Sequence, residues 1–291
     1  MSVRMHRLPG VSMWSPIFGC SKVTPACDNC VERAWQSGTV RPWMLEHKDE
    51  VLDQDGEWNG NVIFMPELLH VPARQRRPTV FNVGVGSDLF HPNVQGEWRE
   101  KMYGVMQRCP QHHFIVPTRW IDNAVAWLAD PGTPSAVFAY GAQLGSAPVL
   151  EDWPLSNVTL AVSVEDQARA DAAVFKLIMA LAARKKVQCS PLMGPIDLSA
   201  WIDKIDWVSV AGLWSGRSFL IEEPSWVPPI EMLCRENAVP FFFHGWGTAF
   251  KGEITDDLIV AAYGRLIDKS EVTLVGSTLI SGEPRQFWPG F

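Results

Sequence analysis

The chain has 291 residues, 47% of them hydrophobic, and a formal net charge of −7. That acidic balance excludes a protein that coats nucleic acid by bulk electrostatics, and no apolar run approaches the roughly 18 residues of a membrane span. Without the apolar core of a signal peptide at its start, the sequence predicts a globular chain working in the cytoplasm, with no membrane partner.

Residues 1 to 11 carry mixed charge and no clear pattern. From Trp14 to Cys30 the Pro and Gly content predicts a loop, and Val31 to Trp35 resumes in a pattern that starts a helix. Within the loop lie Cys20, Cys27 and Cys30, three of the six cysteines, at C-x6-C-x2-C spacing. Three thiolates so close in sequence can reach one metal centre, and no fourth ligand stands nearby. Structural zinc and most iron–sulfur clusters take four protein ligands. The trio therefore reads either as a zinc site completed by a histidine or a distant cysteine, or as a cluster with one iron left open to a small molecule. Cys109, Cys189 and Cys234 sit in apolar surroundings and are expected in the core.

Residues 46 to 60 are polar and acidic and read as an exposed connection, followed by a short strand over Asn61 to Met65 and a helical turn over Pro66 to His70. Arg74, Arg76 and Arg77 form the one local basic run and read as a solvated surface. A strand over Thr79 to Gly86 runs straight into Ser87, Asp88, Leu89, Phe90 and His91. A helix follows over Glu97 to Cys109, then a strand over His112 to Pro117 and a helix over Ile121 to Leu128. Residues 130 to 156, rich in Gly, Pro, Ala and Ser, read as an irregular insertion in which Ala136 to Tyr140 could pair as an extra strand.

The alternation then becomes regular. Strands are predicted over Asn157 to Val164, Lys186 to Cys189, Asp206 to Gly212 and Val239 to Phe243, with helices over Gln167 to Lys185 and Pro228 to Asn237. Leu258 to Leu266 reads as a further helix and Val272 to Leu279 as a further strand. Strands separated by helix-length segments imply a parallel sheet with right-handed crossovers. The expected fold is therefore α/β: a complete or partial (β/α) TIM-like barrel in a single domain, with a core from about residue 11 to 250 and a C-terminal extension. In such a fold chemistry gathers at the C-terminal strand ends, where Cys20 to Cys30, Ser87 to His91, Thr118 to Arg119, Ser163 to Glu165, Ser190, Leu213 to Gly216 and His244 to Gly247 would converge.

An ordered series of blocks then stands out: Trp14-Ser-Pro with Gly19-Cys20; Cys27-Asp-Asn-Cys30; Ser87 to His91; Val162 to Gln167; Pro191 to Ile196; Ile205 to Val208; and Val239 to Phe243 with Trp246-Gly247. In this order the chain resembles the three-cysteine-motif proteins of bacteriophages and some bacteria, relatives of the radical S-adenosylmethionine enzymes. The resemblance implies a [4Fe-4S] cluster on Cys20, Cys27 and Cys30, with S-adenosyl-L-methionine on the open iron. An external electron donor would reduce the cluster, which would cleave the sulfonium to a 5′-deoxyadenosyl radical. It also implies that Ser87, Asp88, Ser163, Glu165 and Gly212 hold the cofactor, since a carboxylate accepts equally from an ammonium and from paired hydroxyls. His244 is the candidate catalytic side chain or substrate contact, and Trp214 and Trp246 are candidates for stacking on a base.

Three positions depart from the family pattern. Ser190 stands where an acidic residue is usual, Ala211-Gly212-Leu213 replaces a glycine-glycine-glutamate block, and His244-Gly245 replaces lysine-glutamine. They imply an altered substrate pocket around retained cofactor chemistry. The expected substrate is a nucleotide or DNA base, single-stranded or flipped from its helix, in a phage-type thymine hypermodification step of aminomutase (isomerase) type inside an infected bacterial host. The alternatives are a radical DNA-lesion lyase and a non-catalytic zinc-binding scaffold.

Overall fold

The structure is a computed structural model that describes residues 11–30, 46–145, 150–212 and 223–244. The helix expected over Val31 to Trp35, the segment Leu213 to Ser218, Trp214, Trp246 and the tail elements after residue 250 lie outside these residues.

The fold is α/β. Seven strands share one sheet in sequential order: β1 (Val11–Trp14), β4 (Val80–Val83), β5 (His113–Thr118), β6 (Val158–Val164), β7 (Arg184–Cys189), β8 (Trp207–Val210) and β9 (Phe241–Phe243). Two short strands, β2 (Ile17–Phe18) and β3 (Ile63–Phe64), pair antiparallel by themselves. The ladders β1–β4, β4–β5, β5–β6, β7–β8 and β8–β9 are parallel. Parallel neighbours in chain order each need a crossover, and the order never reverses as it does in a doubly wound sheet. This is the strand order of a partial (β/α) barrel.

By contact the described residues divide into two compact units. The first draws on Met1–Val23, Glu32–Val162 and Met179–Arg184, the second on Thr24–Val31, Ser163–Ile178 and Lys185–Phe291.

In the first unit, register pairs Phe81 with Phe114 and Phe114 with Val158, so one sheet face is a continuous apolar layer. Phe81 stacks on Phe114 with ring centroids 5.5 Å apart, and Trp14 packs against Phe114 at 5.5 Å. Burying each such side chain contributes about 2 kcal/mol. The opposite face carries Asn82, His113 and Thr159, and His113 Nε2 bonds Thr159 Oγ1 at 2.7 Å. Helices α1 (Lys48–Val51), α2 (Pro66–Leu69), α3 (Val71–Arg74), α4 (Gly96–Gln107), α5 (Ile121–Ala129) and α6 (Thr133–Gln143) complete this unit.

Two expectations are corrected here. Residues 133 to 143 form α6, neither irregular nor an extra strand at Ala136 to Tyr140. Pro134 in its first turn suits a helix start, and Val137 and Gly141 are buried. Gly104 of α4 meets the Val137 carbonyl and the Tyr140 ring so closely that any Cβ there would collide. The connection over 46 to 60 is only partly exposed, because Val51 and Trp58 are buried around a Leu52–Trp58 bridge. Arg74, Arg76 and Arg77 are exposed, as expected of a solvated run.

The second unit contains the end of β6, β7 to β9, α7 (Gln167–Met179) and α8 (Val227–Glu236). The helix expected to reach Lys185 stops at Met179, since Arg184 and Lys185 join a strand. Lys185 N–H donates to the Asp206 carboxylate at 2.7 Å and its carbonyl accepts from Asp206 N–H at 2.9 Å. Sheet pairing overrides the helix propensity of an alanine-rich run. Val187, Cys189, Val208 and Val210 form a fully buried face, while Lys186, Gln188, Trp207 and Ser209 alternate onto the other. No helix among the described residues is long and apolar enough to cross a membrane.

Candidate functional site

Cys20 is fixed by its neighbours. Gly19 N–H donates to the Gly86 carbonyl at 3.0 Å, and Gly19 forms a parallel bridge with Ser87, just beyond the end of β4. Its φ of +104° suits glycine, and a Cβ there would overlap the Asn61 carbonyl, so no other residue fits. The Cys20 carbonyl accepts from Gly60 N–H at 3.2 Å. Next along, Ser21 Oγ lies 2.8 Å from His91 Nε2. Because Asn93 N–H donates to His91 Nδ1 at 3.1 Å, the ring proton sits on Nε2 and is given to Ser21. Burial, and then the Arg99 charge, hold this imidazole below its ordinary pKa, which agrees with a neutral ring.

The segment after β4 is tied down over most of its length. Arg99 donates to the carbonyls of Leu89 and His91, and Asn123 to that of Phe90. Asp88, expected at the cofactor, is 6% exposed, and both its oxygens are engaged internally. Thr118 Oγ1 donates to them at 2.8 and 3.0 Å, Phe90 N–H at 2.9 Å and Arg119 N–H at 2.7 Å. Burial pushes this carboxyl up from its usual range, and those bonds pull it back. Asp88 thus braces the end of β4 against the end of β5. Ser87 differs, for its buried Oγ has no hydrogen-bond partner among the described residues.

Cys27 and Cys30 lie in the second unit, Cys27 on a 3-10 turn over Pro25–Asn29 and Cys30 at its C-cap. Cys27 N–H donates to the Thr24 carbonyl at 2.9 Å and Cys30 N–H to that of Cys27 at 3.2 Å. All three motif cysteines are half-buried, whereas Cys109, Cys189 and Cys234 are buried in the core as expected. The donor chemistry of the trio fits a thiophilic metal centre: three accessible thiols in one short loop. Among the described residues no three His, Cys, Asp or Glu side chains are gathered tightly enough to hold an ion.

At the strand ends of the same unit, Ser190 N–H donates to the Val164 carbonyl at 3.2 Å, Ala211 N–H to Cys189 at 2.9 Å and His244 N–H to Val210 at 2.8 Å. In a parallel ladder these bonds place Glu165, Ser190, Ala211 and His244 in one register row. Ser163, two residues before Glu165, lies two rows below on the same face, and Gly212 follows Ala211. The expected residues Ser163, Glu165, Gly212 and His244 thus share one set of C-terminal strand ends. Three members of the row, Ser190, Ala211 and His244, lie at the departures noted in the sequence. Burial, and then the Lys186 charge, push the half-buried His244 imidazole well down.

Sequence reasoning passed over Lys186 and Ser209. Lys186 is 3% exposed, and its Nζ lies 3.8 Å from the centroid of the Trp207 ring. Ser209 is fully buried and its Oγ has no partner among the described residues. The signal was the pair Lys185-Lys186: consecutive residues of a strand point to opposite faces, so a strand covered on both sides must bury one of them.

Fold and site together define an α/β protein whose parallel sheet carries a cysteine loop fastened at one strand end and a row of polar residues at others. Residues 11–274 match the model of the family described as Protein of unknown function (DUF5131), and the chain belongs to that family. No curated protein and no solved structure matches it.

Proposed function

We propose that this chain is a radical S-adenosylmethionine enzyme acting on a nucleobase or modified nucleoside, with a [4Fe-4S] cluster on Cys20, Cys27 and Cys30. The observation that carries the proposal is the attachment of Cys20 to the C-terminal edge of the sheet through Gly19, Gly86 and Ser87. That is the edge at which (β/α) folds place their chemistry. When bound, the cluster and its sulfonium cofactor supply radical hydrogen abstraction, and the protein supplies position and exclusion of water.

In this reading Ser87 offers a hydroxyl beside the cysteine loop that bonds nothing else among the described residues, and Ser163 and Glu165 receive the ammonium or ribose hydroxyls of the cofactor. Asp88 is a positioning residue that holds Ser87 in place. His244, kept neutral by burial and by Lys186, contacts the substrate as an acceptor at neutral pH. The substrate is a free nucleotide or a flipped or single-stranded base, which suits an acidic chain better than duplex DNA gripped along its length. The finer reading is an isomerase step of thymine hypermodification in the cytoplasm of an infected bacterium, with electrons from an external donor.

Anaerobic reconstitution with iron and sulfide tests this. The expected result is a brown protein with an EPR-active reduced cluster that forms 5′-deoxyadenosine from S-adenosylmethionine, each lost in C20A, C27A and C30A. A colourless protein holding one zinc per chain would overturn it.

A further inference from the structure

Within the second unit, one face of β7 and β8 carries a buried cation with no counter-ion among the described residues. Lys186 pairs in register with Trp207, and Gln188 with Ser209. By strand alternation all four side chains share that face. Lys186 Nζ is held over the Trp207 ring at 3.8 Å, and among the described residues no carboxylate pairs with it. Two steps along the neighbouring strand, the fully buried Ser209 hydroxyl has nothing to bond among the described residues. Gln188 is half-buried at the same register position and brings an amide to the same face.

An ammonium removed from water is costly unless a partner compensates it, and an unbonded buried hydroxyl adds a second cost. One ring face offsets only part of this. Two orphan polar groups on one sheet face, one cationic and one able to donate, have a common complement: a small oxyanion. We propose that Lys186 and Ser209 form a binding site for a carboxylate or phosphate group, with Gln188 at its edge and Trp207 as its wall. The proposal does not rest on the cluster reading.

Burial brings the Lys186 amine down to about 7, so it is poised to take up a proton when an anion arrives. The other titratable groups near it are the Cys189 thiol on its own strand and the His244 imidazole beyond β9. Cys234 on α8 acts on it only through Cys189. None of them supplies a negative charge at neutral pH, because burial keeps the Cys189 thiol protonated and the histidine neutral.

The test is titration calorimetry of the full chain with inorganic phosphate and, separately, with acetate, at constant ionic strength and against a chloride control. One of the two is expected to bind the wild-type chain. Its affinity should fall about tenfold or more in K186M and by a smaller factor in S209A. Binding of phosphate alone assigns a phosphate-bearing ligand, and binding of acetate alone a carboxylate. If neither anion binds, or if a folded K186M binds as tightly as wild type, the proposal is wrong. Should K186M fail to fold, unchanged affinity in S209A overturns it equally.

Discussion

The segment after β4 and the face of β7 and β8 both bury polar side chains, and they treat them in opposite ways. Beyond β4, Asp88 receives four hydrogen bonds, His91 uses both ring nitrogens, and Arg99 and Asn123 cap three successive backbone carbonyls. On β7 and β8, among the described residues, Lys186 has only an aromatic ring and Ser209 has no partner. A satisfied network fixes geometry. Unsatisfied groups at equal depth cost stability, and a protein retains that cost where a ligand removes it. The first region is therefore a frame for the cysteine loop, and the second is a receptor.

Breaking the frame should give the largest effects. G19A forces a side chain into the Asn61 carbonyl at a φ that disfavours it. We expect a loss of about 4 kcal/mol or insoluble protein, read by urea unfolding. D88N comes next. An amide in place of one carboxylate oxygen turns a donor toward the Thr118 hydroxyl or the Arg119 N–H, and we expect about 3 kcal/mol of destabilisation by the same measurement.

The receptor should respond with the opposite sign. Replacing an unpaired buried ammonium by an apolar chain of similar length removes a desolvation cost, so K186M without ligand should be more stable at pH 7 by about 2 kcal/mol. The pH dependence sharpens this. Burial depresses Lys186 from 10.5 to about 7, so between those values the unfolded chain holds a proton that the folded chain has released. Stability contributed by this group therefore rises with pH across that window, and below pH 7 the full cost is present. The advantage of K186M over wild type should shrink steadily between pH 7 and 10. Cys189 titrates in both proteins and largely cancels in the difference. An advantage that does not vary with pH would show that Lys186 is not the titrating group.

The same contrast explains what the sequence disclosed. β4, β5, β6, β8 and β9 were legible because strands covered on both faces read as apolar runs. The fixed positions of Cys20 and Ser87 at one strand end were legible for the same reason, since a strand that stops on Gly and Ser advertises its edge. Helix α6 was hidden by a composition that reads as loop, although Pro134 in its first turn was a usable sign. The role of Asp88 could not be read at all. Ser-Asp after a strand suits a cap, a ligand or a brace, and Thr118, 30 residues further on, decides among them. Lys186 was hidden by its neighbour, because nothing local says which of two consecutive lysines points inward.

The smallest expected effect concerns an unfinished group inside the frame. Ser87 lies between a bridge to Gly19 and the braced Asp88, and among the described residues its buried hydroxyl has no partner. If that hydroxyl were structural, S87A would cost stability as the loss of any buried hydrogen bond does, about 1 kcal/mol. Because it bonds nothing among the described residues, S87A should unfold within about 0.5 kcal/mol of wild type or slightly above it. In the reconstituted protein, however, S87A should bind S-adenosylmethionine several-fold more weakly while its iron content stays at the wild-type level. The two readouts separate a group kept for the fold from one kept for a ligand. Unchanged cofactor affinity with unchanged stability would remove Ser87 from the site and leave the frame closed throughout.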